Sequence, residues 1–205
     1  MEIVSKYINQ PQDYLNIWQQ MREFVDHRTD ETPDEIWFLE HKPVFTLGHA
    51  GKPEHIIDAY DIPVVKTDRG GQVTYHGPGF LMAYLLLDLN RRQLNSRQLV
   101  TSIERAVIQF LTKYNIEANS SKENPGIYVA GNKIASLGLR ISKGYSYHGL
   151  CLNVNGDLTP FSYINPCGIA DQKMTSLQQL GVNICCQKAA SELLTELVIN
   201  IDSIG

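Results

Sequence analysis

The 205-residue chain is expected to fold as one α+β domain spanning residues 1–205. Three features point there. Two long stretches carry apolar residues at helical spacing, several short apolar runs end at glycine or proline, and strands do not alternate regularly with helices. A hydrophobic fraction of 43% is enough for a sizeable core of mixed sheets flanked by helices.

The first helix is expected over residues 12–28, with Tyr14, Leu15, Trp18, Met21 and Val25 on its apolar face and Pro11 at its entrance. Strand-like runs follow at 36–38, 44–47 and 62–66, the second ending at Gly48 and the third before Arg69-Gly70-Gly71. The run 80–87 follows glycines and a proline and reads as a buried strand. A second helix is expected over 96–114, its apolar face built from Leu99, Ile103, Ala106, Val107, Phe110 and Leu111 and its N-cap from Ser96. Strands at 127–129 and 133–141 flank a turn at Gly131 and Asn132, and a further strand covers 148–154. Helices around 176–180 and 183–198 close the chain.

Charge narrows the function classes. Eighteen Lys plus Arg stand against 22 Asp plus Glu, a net charge of -4 that gives no general argument for nucleic-acid binding. A local basic surface could still receive an acidic partner, but sequence alone does not place Arg91, Arg92, Arg97 and Arg105 together on one. The first ten residues have neither the apolar centre of a secretory signal nor the basic amphipathic character of an import peptide. The apolar stretch 79–87 falls well short of the roughly 20 residues that span a bilayer. No membrane partner and a cytoplasmic location are therefore expected. Cys151, Cys167, Cys185 and Cys186 are too few for a disulfide framework, and no compact metal-binding motif accompanies them.

Two segments carry candidate chemistry. The run Arg69-Gly70-Gly71-Gln72-Val73-Thr74-Tyr75-His76-Gly77-Pro78-Gly79 is a tight turn leading into the next strand, or a loop whose glycines let backbone amides approach a ligand. In the second reading Arg69 supplies directed positive hydrogen bonds and His76 donates or accepts a proton. It is neither a Walker A loop nor a dinucleotide fingerprint. In Asn165-Pro166-Cys167-Gly168 the flanking residues favour a sharp turn that can expose a thiol, or simply a structural turn with a small hydrophobic side chain.

Lys133 heads the run Lys133-Ile134-Ala135-Ser136-Leu137-Gly138 and is either an exposed strand-end lysine or, in a cleft, a cation that favours a cysteine thiolate. His148-Gly149-Leu150-Cys151 forms another candidate rim, in which His76 or His148 is the rival base for Cys167. Cys151, inside an alternating strand, suits a structural or tunnel-lining role. His41 and His49 flank a strand and turn and are ordinary structural or exposed histidines, or else line the same cleft.

These blocks, in this order, resemble the octanoyltransferase (lipoyl synthesis acyltransferase) family, with supporting similarity through most of the chain. The resemblance implies a single α+β domain related to the biotin and lipoate protein ligase fold. It implies transfer of octanoate from the phosphopantetheine of acyl carrier protein to a lysine of lipoyl domains of 2-oxoacid dehydrogenase complexes or of the glycine-cleavage H protein, with no further cofactor and no metal. Carried over, Cys167 is the nucleophile and transient thioester, and Lys133 lowers its thiol pKa and assists proton transfer. The substrate-binding residues become Arg69, Gly70, Gly71, Gln72, Val73, Thr74, Tyr75 and His76, then Ser136, Leu137 and Gly138, then Gly149, Leu150 and Cys151. Phe80 stands where the family commonly has glutamine and Cys151 where it has alanine, which bears on tunnel shape more than on reaction class. The rival readings are an ATP-dependent lipoate- or biotin-type protein ligase, which needs no enzyme cysteine, and a noncatalytic protein-binding member of the fold.

Overall fold

The computed structural model describes residues 2–121, 123–168 and 172–203, apart from the Cys167 side chain. Ile3–Tyr7 (β1) and Asp34–Leu39 (β2) pair in parallel, and the helix Tyr14–Asp26 (α1) joins them. Val44–Leu47 (β3), Val64–Lys66 (β4) and Val73–His76 (β5) form a small sheet in the order β4-β3-β5. Phe80–Leu86 (β6) precedes the helix Ser96–Thr112 (α2), which is followed by Asn119–Ser120 (β7), Gly126–Val129 (β8), Asn132–Ser142 (β9) and Tyr145–Asn153 (β10). The helix Cys186–Asp202 (α3) ends the described elements. The large sheet runs β1-β2-β6-β10-β9-β8-β7, antiparallel except for its first pair. The expected α+β class with mixed sheets and flanking helices is what forms.

Strand alternation divides the core in two. Ile36, Phe38, Leu81, Ala83, Leu85, Leu150 and Leu152 turn one face of the large sheet onto α2 and α3, which bury Leu99, Ile103, Phe110, Leu193 and Leu197. Trp37, Leu39, Met82, Tyr84 and Cys151 turn the other face onto α1 and the small sheet, where Ile17, Met21, Val25, Phe45 and Tyr75 meet them.

Several boundaries differ from the expectation for identifiable reasons. α1 begins two residues later because Asp13 is its cap, its side chain accepting the Asn16 amide at 3.0 Å. Leu15 is exposed and Ile17 buried instead, since a stripe through Tyr14, Met21 and Val25 leaves position 15 a hundred degrees away. α2 is capped by Asn95 rather than Ser96, in a reciprocal box with Gln98 at 2.9 and 2.8 Å. Residues 177–181 form turns, not a helix, and Gly181 closes them at φ 85°. So short a segment cannot recover the cost of helix nucleation. β1, β5 and β7 went unanticipated: β1 is a half-buried edge, and β5 hides inside the glycine-rich run.

Arg91 and Arg92 do not form a basic surface. Both turn onto buried Asp34, joined by Arg28, whose Nη2 donates to Asp34 Oδ1 at 2.6 Å. Burial opposes ionisation of Asp34, but the Asp88 amide and the Arg92 and Arg28 guanidiniums outweigh it and hold the carboxyl below the usual carboxylate range. Among the described residues no helix is long and apolar enough to cross a membrane.

Candidate active site

Lys133 faces the interior because of a bulge. Ile127 pairs with Ala135 but Tyr128 pairs with Lys133, so Ile134 is an extra residue in β9. Ile134 and Ala135 both enter the helix-side core, which returns Lys133 to the opposite face, that of Ser136. Its stem lies over Gly126, where a Cβ would come within 2.3 Å of Lys133 Cε. Gly126 (φ 152°) thus meets two demands at once, backbone conformation and space. The side chain is buried, its Nζ donates to the Pro125 carbonyl at 2.9 Å, and it sits 5.5 Å from the Tyr128 ring centroid. The exposed strand-end reading of Lys133 is therefore excluded.

The chain leaving the Cys167 turn is tied to the same lysine. The Lys133 amide donates to Lys173 O at 2.9 Å and the Thr175 amide to Lys133 O at 3.0 Å, while Asn153 Nδ2 donates to Thr175 O at 2.8 Å. Pro166–Gly168 forms a 3-10 turn, its Gly168 amide bonded to Asn165 O at 2.9 Å. Asn165 in turn donates to His55 O at 2.7 Å, and Gly168 lies against His55 and Gln72. The Cys167 backbone is thereby placed beside the glycine-rich loop. The Cys167 side chain lies outside the described residues.

Two adjoining cavities border these elements. A small one, about 30 Å³, is lined by Arg69, Thr74 and His76, by Ser136, Leu137 and Gly138, and by His148, Gly149, Leu150 and Cys151. All three predicted substrate-binding blocks thus meet around it, together with Tyr14, Met82 and Tyr84. The larger cavity, about 590 Å³, shares Leu137 and Gly138 and takes Gly70, Gly71, Gln72 and Val73 as further walls, with His49 and Pro125. Tyr75 joins neither: it packs edge-on against Phe80 and Phe161, because alternation in β5 turns it away from Thr74 and His76. Gly138 lets the loop approach β9, since a Cβ there would come within 2.8 Å of Gly70 O.

Arg69 braces the loop. Its Nη1 donates to Gly70 O at 2.8 Å, its Nη2 to Thr46 O at 2.6 Å and Gln72 O at 2.7 Å, and its Nε and Nη2 both reach Thr46 Oγ1. A guanidinium matched to backbone acceptors fixes the loop's shape, where a ligand-facing role was expected. The histidines are equally committed. His148 Nε2 lies 2.9 Å from Asp68, which also accepts from the Trp18 indole at 2.9 Å and from the Tyr147 hydroxyl. His76 Nε2 lies 3.0 Å from Thr46 Oγ1. Burial lowers the pKa of His148, of His76 further, and of His41 to about 4, so all three imidazoles are neutral at pH 7. His41 is buried between Gln12 O and the Tyr84 hydroxyl and lines neither cavity, whereas exposed His49 reaches the larger one.

Burial pushes the Cys151 thiol up to about 12, which suits a wall and not a nucleophile. Cys186 is raised by burial and then by Glu40, and Cys185 is exposed. Tyr14, Asp68, Met82 and Tyr84 were missed as site residues. Only Asp68, next to Arg69 in sequence, carried a local signal.

A family model described as the lipoyl protein ligase A/B catalytic domain matches residues 13–198. A curated octanoyltransferase of Chromobacterium violaceum is 56% identical over 185 residues, covering 90% of this chain and 89% of that protein. Among solved structures, a bi-partite lipoate protein ligase and its E2 lipoyl domain from Thermoplasma acidophilum matches with a TM-score of 0.77 at 15% identity, over 98% of this chain and 84% of that one. The biotin protein ligase of Aquifex aeolicus, in complex with biotin and ATP, gives 0.62 at 14%, over 99% and 69%. The two structures speak for the fold. The match over residues 13–198 and the curated relative show that this chain has a lipoyl protein ligase A/B catalytic domain and belongs to the octanoyltransferase family.

Proposed function

We propose that the protein transfers an octanoyl group from the phosphopantetheine thiol of acyl carrier protein to a lysine of a lipoyl domain or of glycine-cleavage H protein, through a thioester on Cys167, in the cytoplasm. The observation that carries this reading is the placing of Lys133, which the β9 bulge and Gly126 turn to the cavity face and which is hydrogen-bonded to the segment leaving the Cys167 turn. The Lys133 ammonium favours the Cys167 thiolate. The thiolate attacks the acyl carbonyl, the carbon–sulfur bond to the carrier breaks, and the departing carrier thiol takes a proton from Lys133. The acceptor amine then attacks the enzyme thioester, the amide forms, Cys167 leaves as thiolate, and the amine's proton returns to Lys133. A thioester is more activated than an amide, so the sequence runs downhill without a nucleoside triphosphate. The acceptor class follows the Thermoplasma ligase, which is described together with its E2 lipoyl domain. Arg69, Gly70, Gly71, Gln72, Val73, Thr74, His76, Ser136, Leu137, Gly138, Gly149, Leu150 and Cys151 form the acyl-binding walls.

Intact-protein mass spectrometry after incubation with octanoyl carrier protein tests this. An octanoyl adduct should appear on Cys167, vanish when acceptor domain is added without ATP, and be absent from Cys167→Ser. An adduct that persists in that variant, or transfer that requires ATP, overturns the mechanism. Lys133→Ala should slow adduct formation or its discharge while leaving the protein folded.

A further inference from the structure

Two residues that line the small cavity each carry a buried nitrogen without a hydrogen-bond partner among the described residues: Nδ1 of His76 and Nδ1 of His148, on residues 2% and 1% exposed. Their proton states follow from the partners on the other side of each ring. Asp68 is held ionised: burial opposes this, but the hydrogen bonds from His148 and Tyr147 hold its carboxyl well below the usual range. A carboxylate only accepts, so His148 Nε2 carries the proton and donates, and Nδ1 of the neutral ring is a bare acceptor. Thr46 Oγ1 accepts two N–H groups from Arg69, so its own proton points to His76 Nε2. His76 must then carry its proton on Nδ1, which is a donor. The lining of one buried cavity thus carries an unmatched donor and an unmatched acceptor, together with the unpartnered Tyr14 hydroxyl.

We propose that His76 Nδ1–H and His148 Nδ1 form a two-point subsite for a single oxygen that both accepts and donates: a hydroxyl at the far end of the acyl chain, or a water beyond it. About 30 Å³ admits one such oxygen. The subsite rests on the proposed function for the direction of the chain. Lys133 lies over Gly126, which pairs with Ser136, whereas His148 pairs with Leu139, three residues along β9. At a strand rise of about 3.3 Å per residue that is about 10 Å. An extended eight-carbon chain with C–C bonds of about 1.5 Å spans about 9 Å. Its eighth carbon therefore reaches the level of His148.

The test compares carrier proteins loaded with 8-hydroxyoctanoyl and with nonanoyl, which place hydroxyl or methyl on the same carbon, and repeats the pair at carbons 6 and 7. At one position kcat/KM should favour the hydroxyl about tenfold, and His76→Phe or His148→Phe should reverse that preference. The ratio is taken within each variant, so a general loss of activity cancels, and the wild-type ratio stands if a variant does not fold. A crystal structure with bound octanoate separates the sources: a ratio at or below one with a water bonded to both nitrogens assigns the subsite to water. A ratio at or below one at every position, with no oxygen at those nitrogens, overturns the subsite. Should octanoyl itself not be transferred, the proposed function fails alone, and calorimetric binding of free 8-hydroxyoctanoate against nonanoate carries the same comparison.

Discussion

The two faces of the large sheet obey the same alternation and carry opposite chemistry. Toward α2 and α3 the strands present Phe38 with aliphatic and small residues, and Phe110, Ile103 and Leu193 close over them. Toward α1 and the small sheet, Tyr84 and Cys151 share their layer with His41, His76, His148, Asp68 and Arg69. One face seals the domain chiefly by apolar packing. The other holds buried polar groups whose partners must be supplied one by one, and that requirement fixes the cavity's shape. Stability should therefore respond to methylenes on the helix side and to protons on the cavity side.

The largest expected effect breaks the sealing face. Phe110→Ala removes a fully buried ring and should cost about 3–5 kcal/mol in urea unfolding, with acyl transfer by the remaining folded protein unchanged. Next comes acid. His41 binds a proton near pH 6.5 when unfolded but only at about 4 when folded. Its contribution is therefore complete above pH 6.5 and is lost as pH falls towards 4, about 3 kcal/mol at roughly 1.4 kcal/mol per unit. His76 and His148, also lowered by burial, act in the same direction. Urea midpoints measured from pH 7 to 4.5 should fall, and less steeply in His41→Asn.

Gly126→Ala sharpens the comparison on the cavity side. Its methyl group would meet the Lys133 stem and the Ala135 carbonyl, so kcat/KM for octanoyl transfer should fall about 100-fold, the cost of a misplacement near 1 Å. Single-turnover acylation measured against pH separates this from a general loss of stability, since only a displaced Lys133 alters the profile. The smallest effect is Asn95→Ala, which removes the α2 cap from the sealing face and should cost about 1 kcal/mol with activity intact.

Much of this division was legible locally. The apolar stripe of α2, read as Leu99, Ile103, Ala106, Val107, Phe110 and Leu111, is buried residue for residue, because helical period and burial are one observation. Val44–Leu47 and the start of β6 follow from their flanking glycines in the same way. Caps were less legible, since Asn95 and Ser96 are both good candidates and only the reciprocal bond to Gln98 decides between them.

Every substrate-binding residue that the resemblance implied, Tyr75 excepted, lines one of the two cavities, but how it does so was not legible. Arg69 reads as a ligand-facing cation until Thr46, 23 residues earlier, takes its donors. Lys133 reads as a strand-end charge until the register shift opposite Ile127 turns it inward.

Sequence by itself determined the α+β class, the helix faces, the glycine-dense loop and the candidates Cys167 and Lys133, because each rests on spacing within a few residues or on ordered motifs. Tertiary structure alone decided that Asp34 gathers Arg28, Arg91 and Arg92, that Tyr14 and Tyr84 close the cavity, and that Asp68 and Thr46 set opposite tautomers on His148 and His76. Those outcomes depend on hydrogen-bond partners 6 to 80 positions apart, and a proton's place on a buried ring is settled only when both neighbours are in position.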